Sequence, residues 1–474
     1  MVNYYGREQI FADSVTEDNV TAVLQQVYSK HAKNKGQIKF LYNYYKGKQP
    51  ILERIKEVRP EICNRIVENW AYAIVSFRVG YLCGSPIQYI SGKSKDSLTD
   101  DIDKLNDIMD TLGKPAIDKD LIEWQMIAGT SYRSVFPDKA EIMQISSLDP
   151  RNTFVIYSTD IGHKPIAAVY ETVKQENSKP IRYITVYTPE KIFTIKEWNK
   201  VSTENNPLGA IPILEYPANN ARLSVIEIVI DLLDAINELD SDRLDGVAQF
   251  IQSLMVVYNA DVGEETANTL REKGLIQLKS VGDAHADVKI ISEQLDQGQT
   301  QTLKEDLLQR VREIIGLPSQ GDGTTGDSSN NGAMLLKGGW ENAETKARES
   351  EIMFKRSEIP FLKIALNLLS KNKTGINLEL GDVDIRFTRR NYENIQVKSQ
   401  VLTTMLSNEK IAPKLAFESC GMFIDPEEAY NMSVDYEKKK QAEVNNGRIE
   451  QSLNGNPAES VNDNGETRDR RLTT

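Results

Sequence analysis

Nowhere in the 474 residues is there an apolar run of the roughly eighteen residues that a membrane-crossing helix needs. Residues 1–11 also lack the apolar stretch and small-residue cleavage site of a secretory signal. Neither a membrane partner nor export is expected. Cysteine is scarce: Cys63, Cys83 and Cys420 form no close-spaced pair, which argues against a disulfide framework and fits a reducing compartment. His31, His163 and His285 stand far apart without neighbouring ligands, so no metal site is assigned to them. The G-x-x-x-x-G-K-[ST] phosphate cradle is missing, which excludes a P-loop motor. No set of nucleophile, base and orienting group can be argued either, so no catalytic residue and no cofactor is assigned.

Positive charge is in deficit as well. Fifty-seven Lys and Arg face 69 Asp and Glu, and the net charge of −12 opposes gripping nucleic acid over a large surface. What remains is an ordinary globular composition, 40% apolar and 27% charged, in a chain long enough for several substructures.

Residues 1–130 read as mainly helical. Residues 19–52 contain no acid, but Lys30, Lys33, Lys35, Lys39, Lys46 and Lys48 alternate with Phe40, Tyr42, Tyr44 and Tyr45. Two readings fit: a platform for stacked bases, or a half-buried helix with solvated lysines. From 131 to 217 the period changes to two, with short β-branched and aromatic runs at 132–136, 153–157, 166–170, 181–187 and 192–195. These predict an antiparallel sheet in a meander.

The most informative pattern follows. Glu227, Asp231, Asp234, Glu238, Asp242 and Asp245 are spaced so that all six fall on one face of a helix, opposite Val229, Leu233, Ile236, Val247, Ile251 and Leu254. No lysine sits at i+4 along that face to compensate. It is either a solvated surface or a wall past which something negative slides. A small αβ insert over 256–300 and a returning amphipathic helix, with Leu303, Leu307, Val311 and Ile314 on one side, complete a stalk with a tip.

Residues 316–332 form a glycine-rich loop. Gly321-Asp322-Gly323-Thr324-Thr325-Gly326 matches G-x-G-x-x-G, but it follows a helix instead of a strand, which removes the dinucleotide-binding context. The next helical pattern is interrupted at Gly338-Gly339, where a kink is expected, and again at Pro360. Asp100, Asp101, Asp103, Asp107 and Asp110 could hold a divalent ion or simply be solvated, and their spacing is not that of an EF-hand. A short β-like stretch at 376–387 precedes further helices at 393–406, 413–420 and 426–444. The polar tail, 445–474, is expected to be disordered.

Several blocks resemble the portal proteins of tailed phages with long, non-contractile tails. They are Tyr44-Tyr45-Lys46-Gly47-Lys48 with Ile51-Leu52; Asn64-Arg65-Ile66-Val67-Glu68-Asn69 through Ile74-Val75, Val79-Gly80-Tyr81 and Pro86-Ile87 to Tyr89; and Asn206-Pro207-Leu208-Gly209 with Ile211-Pro212. The resemblance continues over 231–242 and 328–336. Its early block is the most specific, and Cys63 and Ser85 depart from it.

The resemblance implies an α+β, predominantly helical subunit of a ring, usually of twelve, around a central channel. Residues 1–222 would be wing, 223–255 the first stem helix, 256–300 clip and 301–316 the second stem helix. The tunnel loop would be 317–332, the kinked helix and the rest of the wing 333–392, and the crown 393–444. Implied partners are double-stranded DNA, the terminase large subunit, a head-completion adaptor, scaffold and major capsid protein. The implied location is the portal vertex of the virion, after assembly in the host cytoplasm. The stripe from Glu227 to Asp245 would keep DNA off the channel wall, and Gly321, Asp322, Gly323, Thr324, Thr325, Gly326, Asp327 and Ser328 would contact or gate it. Two rivals remain: an enzyme acting on nucleic acid, and a monomeric binding module built on residues 30–48.

Overall fold

The structure, a computed structural model, describes residues 6–57, 60–92, 98–138, 142–251, 254–258, 287–291, 297–318, 340–372, 374–389, 395–423 and 426–453. The fold is mixed α/β, in two compact units, Met1–Arg390 and Asn391–Thr474.

The first unit begins with β1 (Ile10–Ala12), α1 (Val20–Tyr45), α2 (Trp70–Cys83), β2 (Gln88–Ser91), α3 (Thr99–Thr111) and α4 (Lys114–Ala128). Eight strands follow: β3 (Thr130–Asp138), β4 (Ile142–Leu148), β5 (Thr153–Ser158), β6 (Pro165–Glu176), β7 (Lys179–Tyr187), β8 (Lys191–Lys196), β9 (Asn199–Asn205) and β10 (Ile213–Pro217). Then come α5 (Ile230–Ile251), β11 (Leu254–Tyr258), β12 (Asp287–Ile291), α6 (Gln297–Ile315), α7 (Trp340–Lys371) and β13 (Val383–Arg386), which pairs with β2.

The meander expected over 131–217 is in fact two sheets. One has six strands in the order β1-β5-β6-β7-β8-β9, antiparallel except where β1 joins β5 in parallel; the other has three, β10-β3-β4. The split follows from β3, whose residues 130–135 are all buried and so give no period-two alternation. Gly129, at φ +77°, turns the chain from α4 into β3, and a side chain there would collide with the Arg222 carbonyl, 2.0 Å from where its Cβ would sit.

Helix α1 buries Val20, Leu24, Val27, His31, Asn34, Ile38, Leu41 and Tyr44, a spacing of three and four that makes one continuous apolar seam. Its first half packs on Phe154, Ile156, Val169, Ile184, Val186 and Phe193 from the six-stranded sheet. His31 stacks on Phe154 with centroids 4.3 Å apart, and burial, helped by the Lys35 charge, pushes its imidazole down to about 4.

The centre of the first unit is charged. Arg133 on β3 places Nη1 2.9 and 2.7 Å from the two carboxylate oxygens of Glu358 on α7, and its Nη2 bonds Asp118 on α4. Lys114 lies 2.5 Å from Asp118 and 3.3 Å from Glu358. Tyr89 and Tyr216 each donate to Glu358 at 2.7 Å, and the guanidinium sits 4.5 Å from the Phe361 ring centroid. None of the four charged side chains is more than 2% exposed. This cluster explains why α7 runs unbroken through Pro360, correcting the interruption expected there. The missing N–H and the ring clash of a mid-helix proline cost about 3 kcal/mol. Glu358 is tethered two residues earlier, and Phe361 and Leu362 are buried just after. The helix is held on both sides of the defect.

The second unit has α8 (Ile395–Leu406), α9 (Pro413–Cys420) and α10 (Pro426–Leu453). Phe417 stacks on Phe423 at 5.2 Å and meets Tyr430 edge-on, and Lys398 Nζ caps the turn after α9 by donating to the Gly421 carbonyl at 2.7 Å. Helix α10 extends through Leu453, so residues 445–453, expected to be disordered, are helical. The rest of that tail lies outside the described residues.

Burial works against the charge of Glu358, but Arg133 and Lys114 outweigh it and hold the carboxyl at about 2, while burial pushes Asp118 up. A carboxyl held below its usual value of 4.5 adds stability in full above that pH and loses it as pH falls toward 2. Glu358→Gln should therefore lower the unfolding free energy at pH 7 by about 3–5 kcal/mol in denaturant melts, and the difference should shrink below about pH 4.

Candidate functional site: a strapped helix hairpin

Helices α5 and α6 run antiparallel. Lys304 pairs with Asp240 at 2.9 Å, and one helical turn further toward the tip Arg243 donates to Gln301 at 2.8 Å. At the base, Leu233, Ile236, Val311 and Ile315 belong to the main core; at the tip, β11 and β12 pair antiparallel from Leu254↔Ile291 to Tyr258↔Asp287. The rest of the expected αβ insert, residues 259–286, lies outside the described residues.

The acidic stripe is not the uninterrupted face that its spacing suggests. The helix starts at Ile230 instead of residue 223, so Glu227 precedes it, buried against Arg7 and accepting the Ser224 N–H at 2.8 Å. Asp234 accepts the Tyr44 hydroxyl at 2.8 Å; burial, with Asp231 and Glu238 nearby, pushes its carboxyl up against the effect of that bond. Asp242 and Asp245 are both engaged by Arg54 and Lys56. Burial would raise Asp245, but Lys56 and the two bonds from Asn64 bring it down. The compensating cations exist, roughly 190 residues away in sequence, where a search along the helix could not find them. Asp231 and Glu238 alone of the six stay exposed with no hydrogen bond or ion pair among the described residues.

Those cations lie on residues 54–57, and residues 64–69 form a strap that runs antiparallel to α5. The N–H of Asn64 donates to Asp245 at 2.7 Å, that of Ile66 to the Ser241 hydroxyl at 3.0 Å, and that of Glu68 to the side-chain Oδ1 of Asn237 at 2.8 Å. Two residues of extended chain and four of α-helix advance by nearly the same distance, about 6–7 Å, so alternate strap amides meet every fourth helix side chain. Asn237 continues to Gln49, Gln49 to the Tyr44 carbonyl and Asn69, and Asn69 to the Tyr45 carbonyl. Lys304 bonds Glu68 at 3.0 Å and so ties the strap to α6. None of this was readable in advance. The block 64–69 had shown only a resemblance, and its role here is to satisfy backbone amides with α5 side chains.

The lysine-rich segment proves to be the half-buried helix α1. Tyr42 stacks on Trp124 at 5.1 Å and is covered by Lys46 and Arg151, Tyr45 stacks on Tyr72, and Tyr44 is buried. Lys33 bonds Glu8 and Lys35 bonds Glu171. Each of these tyrosine rings already has a partner within the chain. In the aspartate cluster, Asp101 accepts the Asn377 N–H and pairs with Lys104, and among the described residues no three His, Cys, Asp or Glu are grouped to hold a metal. The loop residues Gly321 to Ser328, and Gly338 and Gly339, lie outside the described residues. No helix among the described residues is long and apolar enough to cross a membrane.

A mixed α/β body carrying a two-helix stalk is the class defined by this geometry. The family described as "Phage portal protein, SPP1 Gp6-like" matches residues 24–447, and the chain belongs to that family. Its function is that of a portal protein, in DNA packaging and ejection at the capsid vertex. The portal protein of Bacillus phage SPP1 is 23% identical over 396 residues, covering 77% of this chain and 74% of that protein. A chain from the neck of an empty GTA particle, computed with C6 symmetry, has a TM-score of 0.42 and 10% identity over 74% of this chain and 90% of its own. That likeness is too distant to carry argument.

If the ladder holds the strap, Ser241→Ala and Asn237→Ala should each cost about 1–3 kcal/mol by leaving amides unpaired. Hydrogen exchange should show the amides of Ile66 and Glu68 losing protection while β6 and β7 keep theirs. Unchanged protection would mean that the strap is held by something else.

Proposed function

We propose that the chain closes into a ring of twelve and lends its α5–α6 hairpin to the stem around a central channel for double-stranded DNA, with β11–β12 in the clip. The observation that carries this is a two-helix stalk with a small β tip in a chain that matches the portal family over 24–447. The clip would dock the terminase large subunit during packaging and a head-completion adaptor afterwards. The body would meet scaffold and major capsid protein, and the protein would reside at the portal vertex of the virion after assembly in the host cytoplasm.

Conduction in this reading is passive and the chain is not an enzyme. A subunit with a net charge of −12 retains phosphates weakly, so DNA slides while a separate ATPase supplies the work. The acidic stripe is not invoked as the channel wall, because Glu227, Asp234, Asp242 and Asp245 are engaged within the chain.

Negative-stain images of the purified full-length chain should contain closed rings with a central hole. The same preparation should neither cut DNA with magnesium nor hydrolyse ATP. Monomers at every concentration would overturn the ring, and either activity would overturn the passive conduit.

A further inference from the structure

The exposed face of α7 has a composition unlike the rest of this acidic chain. Arg348, Ile352, Arg356, Ile359 and Lys363 follow one another at spacings of 4, 4, 3 and 4, which sets them in one line along the solvent side of the helix, about 22 Å long. Ile352 is 67% exposed and Ile359 48%. Arg348 pairs with Glu344 on its own helix at 3.0 Å, whereas Arg356 and Lys363 make no hydrogen bond or ion pair among the described residues. Two cations without a partner among the described residues and two exposed isoleucines thus share a face whose opposite side is pinned by Phe354, Glu358 and Phe361.

The α5 stripe offers the complement. Asp231 and Glu238 are exposed and, among the described residues, unpaired; they stand seven residues apart, and their field adds to the upward push on Asp234. Acids aligned at this spacing repel one another, so the face gains from cations supplied by something other than its own helix. Arg356 and Lys363 are also seven residues apart, so each pair spans about 10.5 Å.

We infer that in the ring the α7 face of one subunit receives the exposed acidic face of α5 from a second copy of the chain, Arg356 and Lys363 meeting Asp231 and Glu238. The inference rests on the ring reading above and assigns its contact. Two different faces of one chain make a heterologous interface, the kind that builds a ring when its rotation closes. Duplex DNA suits the α7 face less well: phosphates would take the cations but leave the interleaved isoleucines uncovered, whereas a protein face covers both.

The test uses the full-length chain and counts rings by mass photometry and negative stain. Arg356→Glu with Lys363→Glu, and separately Asp231→Lys with Glu238→Lys, should each reduce the ring fraction by roughly tenfold or more, since like charges would then face each other. Circular dichroism should stay at the parent spectrum, because all four side chains are on the surface. Combining the four reversals should restore rings to within about twofold of the parent, since opposite charges face each other again.

Persistence of rings in both paired variants would overturn the contact while leaving the ring reading intact. Failure of the fourfold variant to recover would overturn it as well. If Arg356→Glu with Lys363→Glu kept its rings but lost retention of duplex DNA at low salt, the face would serve nucleic acid and the inference would fall. Absence of rings in the parent would remove the ring reading and this contact with it.

Discussion

Four charges buried where β2, β3, β10, α4 and α7 meet set the terms for the first unit. Arg133 and Lys114 face Asp118 and Glu358, with two tyrosine hydroxyls completing the shell of Glu358. An unpaired charge at this depth costs several kcal/mol, so each member is tolerable only while the others are in place. The members come from β2, α4, β3, β10 and α7, so the full set is satisfied only when all those elements are in place. Hydrophobic contacts around the cluster are abundant but less exacting, because apolar side chains accept many neighbours. The charges admit few arrangements and thereby select one.

The strap carries the same logic to the stalk at the surface. Its amides have no sheet to join, and side chains of α5 stand in for the missing strand. The hairpin is therefore fixed to the body by polar bonds as well as by the apolar contacts of Leu233, Ile236, Val311 and Ile315 at its base.

Much of this was legible in the chain itself. The helical character of 1–130, the strands at 153–157, 181–187 and 192–195, and the second stalk helix follow from periodicity, because burial on one face leaves that mark directly. What could not be read shares one cause: a periodic face declares its polarity, not its neighbour. The acids of α5 look uncompensated because Arg54 and Lys56 approach from an irregular segment. Lys114 and Asp118 look like an ordinary surface pair at i and i+4, yet both are buried. Pro360 looks like a break because the local rule is real, and the contacts that override it come from Arg133, more than two hundred residues away. The aromatic lysine segment declared only its amphipathy, and Trp124, Arg151 and Tyr72 decided what covered its rings.

The strap and α5 are two lattices with slightly different repeats, about 6.6 Å for a pair of extended residues and about 6.0 Å for four helical ones. Like the scales of a vernier they coincide for a few marks and then drift apart. Three rungs accumulate only about an ångström of mismatch, within the tolerance of a hydrogen bond, and a much longer ladder would fall out of phase. A slip by one residue would point every amide away from the helix, and the next coincidence lies a full repeat further on. The stalk therefore has no small adjustments along this seam: it sits in one notch, or it must jump by about 6 Å to the next.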